Sequence, residues 1–86
     1  MKVLIPNQLQ AYTHGDSSVS AIGQTLGTVL DDLDKQFPGI KFRAIDEQGR
    51  IRKHLKIFVS GELASNLDIA IATTDEIQIV GALSGG

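Results

Sequence analysis

The sequence contains no cysteine. Disulfides, iron–sulfur ligation, thiolate zinc sites and cysteine nucleophiles are thereby excluded. It also lacks a strong excess of one charge: eight Lys and Arg against ten Asp and Glu leave −2, with acids and bases spread along the chain. A nucleic-acid binder would carry a basic stripe, so no nucleic-acid partner is expected. No apolar run approaches the ~18–20 residues needed to span a bilayer. The opening Met1-Lys2-Val3-Leu4-Ile5-Pro6 is too short in apolar residues for a secretory leader. A cytoplasmic protein with no membrane partner is the expectation. Internal repeats and low-complexity segments are absent as well.

What is present is an ordinary globular composition, 42% apolar and 21% charged over 86 residues, which fits a folded chain rather than a disordered one. A chain of this length forms one small domain with one modest core. It has little room for both a substrate pocket and an elaborate active site.

Val3-Leu4-Ile5, ended by Pro6, reads as a first strand, and Ser17 to Ile22 as its partner across the polar loop 7–16. The clearest helix runs from Leu26 to Gln36. Leu26, Val29, Leu30, Leu33 and Phe37 form one apolar stripe, Thr25 caps the start, and Pro38-Gly39 ends it. Ile40 to Ile45 alternates and predicts a strand, with Ile40, Phe42 and Ala44 on one face. Asp46-Glu47-Gln48-Gly49 is a turn. Leu55 to Val59 is the strongest strand, closed by Ser60-Gly61. Residues 62–75 read as an irregular crossing with one helical turn, in which Leu63, Leu67, Ile69 and Ile71 supply core. Glu76 to Val80 is the last strand. The segments divide the chain into a domain at 1–80 and a tail at 81–86.

The tail Gly81-Ala82-Leu83-Ser84-Gly85-Gly86 holds three glycines in six residues, which predicts mobility and an extended reach of about 20 Å. Two glycines at a chain end present an unbranched carboxylate that another protein's narrow channel can accept. Roughly 1 chain in 200 would end this way by chance, so the dipeptide gains weight only from the domain that carries it.

That domain resembles the MoaD/ThiS family of ubiquitin-like sulfur-carrier proteins. Four pieces carry the resemblance across nearly the whole chain. They are Val3-Leu4-Ile5-Pro6; Ser18-Val19-Ser20-Ala21 with Gly23 and Thr25-Leu26-Gly27, running on to Phe37-Pro38-Gly39-Ile40; Lys56-Ile57-Phe58-Val59; and Asp75-Glu76-Ile77-Gln78-Ile79-Val80 leading into Gly85-Gly86. The Ser-Val-Ser-Ala and Thr-Leu-Gly stretches look most like the CysO-type, cysteine-biosynthesis branch. Two departures are plain. Thr73-Thr74-Asp75 stands where the family often has Asp-Gly-Asp, and Ala82 and Ser84 stand where ubiquitin's tail is basic.

The resemblance implies an α+β fold, a ubiquitin-like β-grasp with a mixed sheet of four to five strands and one helix packed across it. It implies no catalytic residue and no metal or cofactor on this chain. The Gly86 carboxylate would be adenylated by an E1-like (MoeB/ThiF-type) adenylyltransferase using ATP and magnesium. A sulfurtransferase or other persulfide donor would then convert it to a thiocarboxylate. A downstream sulfur-accepting synthase, for which a PLP-dependent enzyme is one form, would take the sulfur. Cysteine or homocysteine is the favoured product, with molybdopterin and thiazole open. A JAMM-type metalloprotease is a further partner compatible with the family.

Gly85, Ser84 and Leu83 would thread or anchor the tail. Alternation puts Leu4, Phe58 and Val80 on the sheet face away from the helix, where together they would form a partner patch. Arg52, Lys53, His54 and Lys56 lie nearby and would steer acidic surfaces. Plainer readings stand beside these. Phe58 can equally be a residue shielded by a neighbouring segment, and Leu4 and Val80 ordinary half-exposed sheet residues. Arg50 to Lys56 can be a solvated hairpin, and Asp31-Asp32 with Asp34 the wet face of the helix. His14 and His54 have no clustered partners, which argues against metal. Two other functions share the fold: a protein modifier whose Gly86 is captured by a lysine, and a non-covalent interaction module.

Overall fold

The computed structural model describes residues 1–81; Ala82, Leu83, Ser84, Gly85 and Gly86 lie outside the described residues. Strands β1 (Lys2–Leu4), β2 (Ser18–Ser20), β3 (Leu55–Val59), β4 (Glu62–Leu63) and β5 (Glu76–Gly81) form one sheet in the order β2-β1-β5-β3-β4. The central strand β5 runs parallel to β1, and every other pairing is antiparallel. The sheet is mixed, as expected, and its five strands fall within the four to five expected, but β4 lies in the stretch that the sequence reads as an irregular crossing.

Helix α1 (Leu26–Gln36) crosses one face. Its stripe Leu26, Val29, Leu30 and Leu33 is buried in a single core with Val3, Ile57, Ile77 and Ile79. The period of 3.6 on the helix and of 2 on the strands delivers these residues to the same layer. Thr25 caps the helix in a reciprocal arrangement with Thr28. The next two donors, Leu26 N and Gly27 N, are taken by the carbonyls of Ile69 and Leu67 at 3.0 and 2.9 Å. The carbonyls of Leu67 and Ile69 thus lie against the helix start, and Ala70 is bridged to Thr25. The helical turn expected within 62–75 is absent among the described residues. The close approach at Gly27 is to Leu67, whose carbonyl oxygen would lie 3.3 Å from a Cβ there.

Residues 40–45 correct the sequence reading. Ile40–Ala44 is a short helix, α2, and Phe42 is 57% exposed. Ile40 and Ala44 are buried. They are spaced i, i+4, so they share a helix face as readily as a strand face, and short apolar runs do not settle the period. What selects the helix is Asp34. One of its carboxylate oxygens accepts from both Gly39 N and Lys41 N at 3.1 Å, with Gly39 at φ 97° reversing the chain. Lys41 adds an ion pair to Asp31.

Three smaller differences follow the same logic. The second strand is shorter than 17–22, and Ile22 is 72% exposed. The polar loop 7–16 contains a 3-10 turn at Asn7–Leu9 that buries Leu9, and buries Thr13, whose hydroxyl donates to the Asp16 carbonyl at 2.7 Å. Leu63, expected in the core, is 57% exposed. Ser60 and Gly61 have φ of 47° and 88° and close a two-residue hairpin. That turn sets Leu63 opposite Phe58, on the face away from α1.

Candidate functional site

The last described stretch is the root of the tail. Ile77 and Ile79 of β5 are buried between β1 and β3, so the strand is held at the centre of the sheet. The final pairing is Leu55 with Gly81, which takes the sheet one residue into the segment assigned to the tail. Gly81 is also where a loop closes in. A Cβ built there would lie 2.0 Å from Gln8 Nε2, so the Gln8 amide rests on the glycine backbone. Gly81 thus stands between Gln8 on one side and the start of β3 on the other.

The sheet face away from α1 follows from the register. Leu4 pairs with Gln78, Gln78 with Phe58, and Phe58 with Leu63. These four side chains form one row across four strands. Val80 lies in the next row opposite Lys56. Leu4, Phe58 and Val80 are half-buried and share this face, with Gln78 between Leu4 and Phe58. Leu63 extends the row, although the sequence reading placed it in the core. The signal was present: exactly two residues, one a glycine, separate Val59 from Glu62, and a two-residue loop fixes the pairing.

Charge is segregated. Six of the eight Lys and Arg residues fall between Lys41 and Lys56, a span with only two acids, so the rest of the chain is acidic. Within that span Lys41 pairs with Asp31 and Arg50 with Asp46. Asp46 is held below its usual carboxylate range, chiefly by the Arg50 backbone N–H, which donates to it at 2.9 Å; the Gln48 N–H does so too. That carboxylate shapes a turn and is not positioned as a proton carrier. Arg43, Arg52, Lys53 and Lys56 have no ion pair among the described residues.

Among the described residues, no group of three or more His, Cys, Asp or Glu is placed to hold a metal. No helix in this part of the chain is long and apolar enough to cross a membrane. Leu83, Ser84, Gly85 and Gly86, the threading and activation residues read from the sequence, lie outside the described residues.

Residues 3–86 match the ThiS family model. The chain is 38% identical to the sulfur carrier protein CysO of Mycobacterium tuberculosis, over 98% of this chain and 96% of that one. A crystal structure of Mycobacterium tuberculosis CysO superposes with a TM-score of 0.90 at 37% identity, covering 95% of this chain and 98% of that one. A chain of the Amycolatopsis orientalis BexX/CysO complex gives 0.90 at 30% identity, covering 99% and 98%. SAMP1, a small archaeal modifier protein, from Haloferax volcanii gives 0.77 at 28% identity, covering 100% and 98%. These neighbours share the ubiquitin-like β-grasp fold.

Proposed function

The chain belongs to the ThiS family, and from that membership we propose that it is a sulfur carrier, a protein co-substrate with no reaction of its own. Its reactive group is the Gly86 carboxylate. A carboxylate resists nucleophiles because it is negatively charged and has no good leaving group. Attack of its oxygen on the α-phosphorus of ATP, on an E1-like partner with magnesium, expels pyrophosphate and leaves an acyl adenylate. A sulfur nucleophile then attacks the carbonyl carbon and expels AMP. If the nucleophile is a persulfide, a thiol reduces the acyl disulfide that forms. The product is a thiocarboxylate, which a downstream enzyme consumes, returning the carboxylate. The CysO-type resemblance favours cysteine or homocysteine as the product.

The observation that carries this reading is the family match running through Gly86, joined to 38% identity with a sulfur carrier over nearly the full length of both chains. The neighbour in the BexX/CysO complex supports recognition of this domain by a partner protein. The half-buried row at Leu4 and Phe58, with Val80 beside it, is the face we assign to that contact.

The test is intact mass after incubation with ATP, magnesium, an E1-like adenylating enzyme and sulfide. A carrier gains one oxygen-to-sulfur exchange at its C-terminus, and deletion of Gly86 abolishes the gain while the fold stays intact. An unchanged mass despite confirmed activity of the enzyme on its own carrier would sink the reading. The likeness to SAMP1 favours one second reading, a modifier joined to lysines through Gly86. Lysine-linked adducts in cells, with no thiocarboxylate, would select it.

A further inference from the structure

Two arginines beside the root of the tail are held in place by aromatic rings. The Arg43 guanidinium lies 5.9 Å from the Tyr12 ring centroid, and its Nε donates to the Tyr12 hydroxyl at 2.6 Å. The Arg52 guanidinium lies 4.7 Å above the Phe42 ring, and its Nε donates to the Phe42 carbonyl at 2.8 Å. Each uses one donor in this way. A guanidinium has five in a planar fork, and the terminal nitrogens of both have no partner among the described residues. Phe42, Arg43, Arg52 and His54 line one cleft. Gln8, Tyr12, Arg43 and His54 line the adjoining one. Gln8 rests on Gly81, and His54 precedes Leu55, the residue paired with Gly81. The two arginine–aromatic pairs therefore line a rim beside Gly81, the last described residue.

We propose that this rim docks a protein surface bearing Asp and Glu side chains around the channel that receives the tail. The proposal rests on the carrier reading for the identity of that partner. Three observations argue for it. The arginines are fixed before binding, so little side-chain freedom is lost when a carboxylate meets them. They lack carboxylate partners of their own, in a segment that holds most of the positive charge of an otherwise acidic chain. Phe42, 57% exposed, supplies an apolar anchor of the kind found with Arg at binding hot spots. A nucleic acid is disfavoured, since outside residues 41–56 the only Lys and Arg residues are Lys2 and Lys35, which leaves no basic stripe long enough to follow a phosphate backbone.

Two measurements test the proposal. First, the isotope-labelled full chain is titrated with a synthetic hexaglutamate peptide and followed by NMR. Shifts should concentrate at Tyr12, Phe42, Arg43, Arg52 and His54. The Arg43→Gln/Arg52→Gln variant should bind about tenfold more weakly, while Lys2→Gln/Lys35→Gln, with the same charge change, should not. Shifts spread evenly over the lysines, equal losses in both variants, or tighter binding of a uridine oligonucleotide of equal charge would each overturn the assignment. Second, the association rate with the E1-like enzyme should fall about tenfold at low salt in the arginine variant and converge with the parent at high salt. Unchanged association would overturn the partner. Localised hexaglutamate binding without any adenylation of Gly86 would instead overturn the carrier reading and leave the acidic-surface site standing.

Discussion

Gly23 approaches Val29 more closely than any side chain would permit: a Cβ built on Gly23 would lie 2.6 Å from the Val29 backbone nitrogen, with Thr28 Oγ1 at 2.7 Å. The chain passes here from β2 into the capped start of α1. Because the obstacle is helix backbone, the helix itself would have to move. At Gly81 the obstacle is the end of the Gln8 side chain, which can swing away.

Gly23→Ala should therefore destabilise the protein by about 1–3 kcal/mol, the range for overpacking a well-filled site. At about 4–8 °C per kcal/mol for a domain of this size, thermal unfolding would show it clearly. Gly81→Ala should leave the melting temperature nearly unchanged. Equal shifts in the two variants would contradict the difference between a backbone and a side-chain obstacle.

The capping pair at α1 gives a second prediction. Thr25 Oγ1 accepts from Thr28 N at 3.2 Å, and Thr28 Oγ1 accepts from Thr25 N at 2.9 Å and Gln24 N at 3.0 Å. Thr25→Ala should cost about 1 kcal/mol, and Thr28→Ala a similar amount because it leaves two backbone donors without their acceptor. Both hydroxyls act in one arrangement, so the double variant should lose less than the sum of the singles. Denaturant unfolding of all four proteins measures the coupling, and strict additivity would show that the two caps act independently.

The helix and the strong strands were legible in the sequence because their patterns were long. Leu26, Val29, Leu30 and Leu33 repeat over several turns, and Leu55, Ile57 and Val59 alternate beside a turn. Ile40–Ala44 was not legible. Five residues satisfy both periods, and the deciding contact, the Asp34 carboxylate on the amides of Gly39 and Lys41, joins separate elements. Leu63 was misplaced for the opposite reason. Its signal is local: the two-residue turn Ser60-Gly61 sets Leu63 opposite Phe58, which puts an apolar side chain on the outer face where apolarity alone points to the core. The arginine–aromatic pairs at the tail root join residues 31 positions apart for Arg43 and Tyr12, and ten apart for Arg52 and Phe42. Neither spacing is readable from sequence, because α2 had to be a helix before Phe42 could lie beneath Arg52.

Acid should loosen the loop before β5. Asp75 accepts from Ala72 N and from the Ser60 hydroxyl, both at 2.7 Å, and these bonds hold its carboxyl below its ordinary value of 3.8. A depressed carboxyl contributes stability that is present above the unfolded-state pKa and is lost as pH falls through the folded one. Asp75→Asn should thus be less stable than the parent near neutral pH, and the gap should narrow below about pH 4. Melting curves across that range check the sign. A gap that widened on acidification would mean that the charged form is not the stabilised one.

The outer sheet face gives the last prediction. Phe58 sits between Gln78 and Leu63 in a row that faces away from α1, so its removal takes little from the core formed by Ile57 and its neighbours. If that row meets the activating enzyme, Phe58→Ser should raise the KM for this chain in ATP–pyrophosphate exchange while leaving kcat near the parent value, because a lost docking contact weakens ground state and transition state alike. Leu63→Ser should act in the same direction, since the side chains are cross-strand neighbours on one surface. A melting temperature close to the parent's separates lost docking from lost folding. Should kcat fall while KM holds, the aromatic would be acting on placement of the tail at the reacting phosphate, and the sheet face would not be the docking surface.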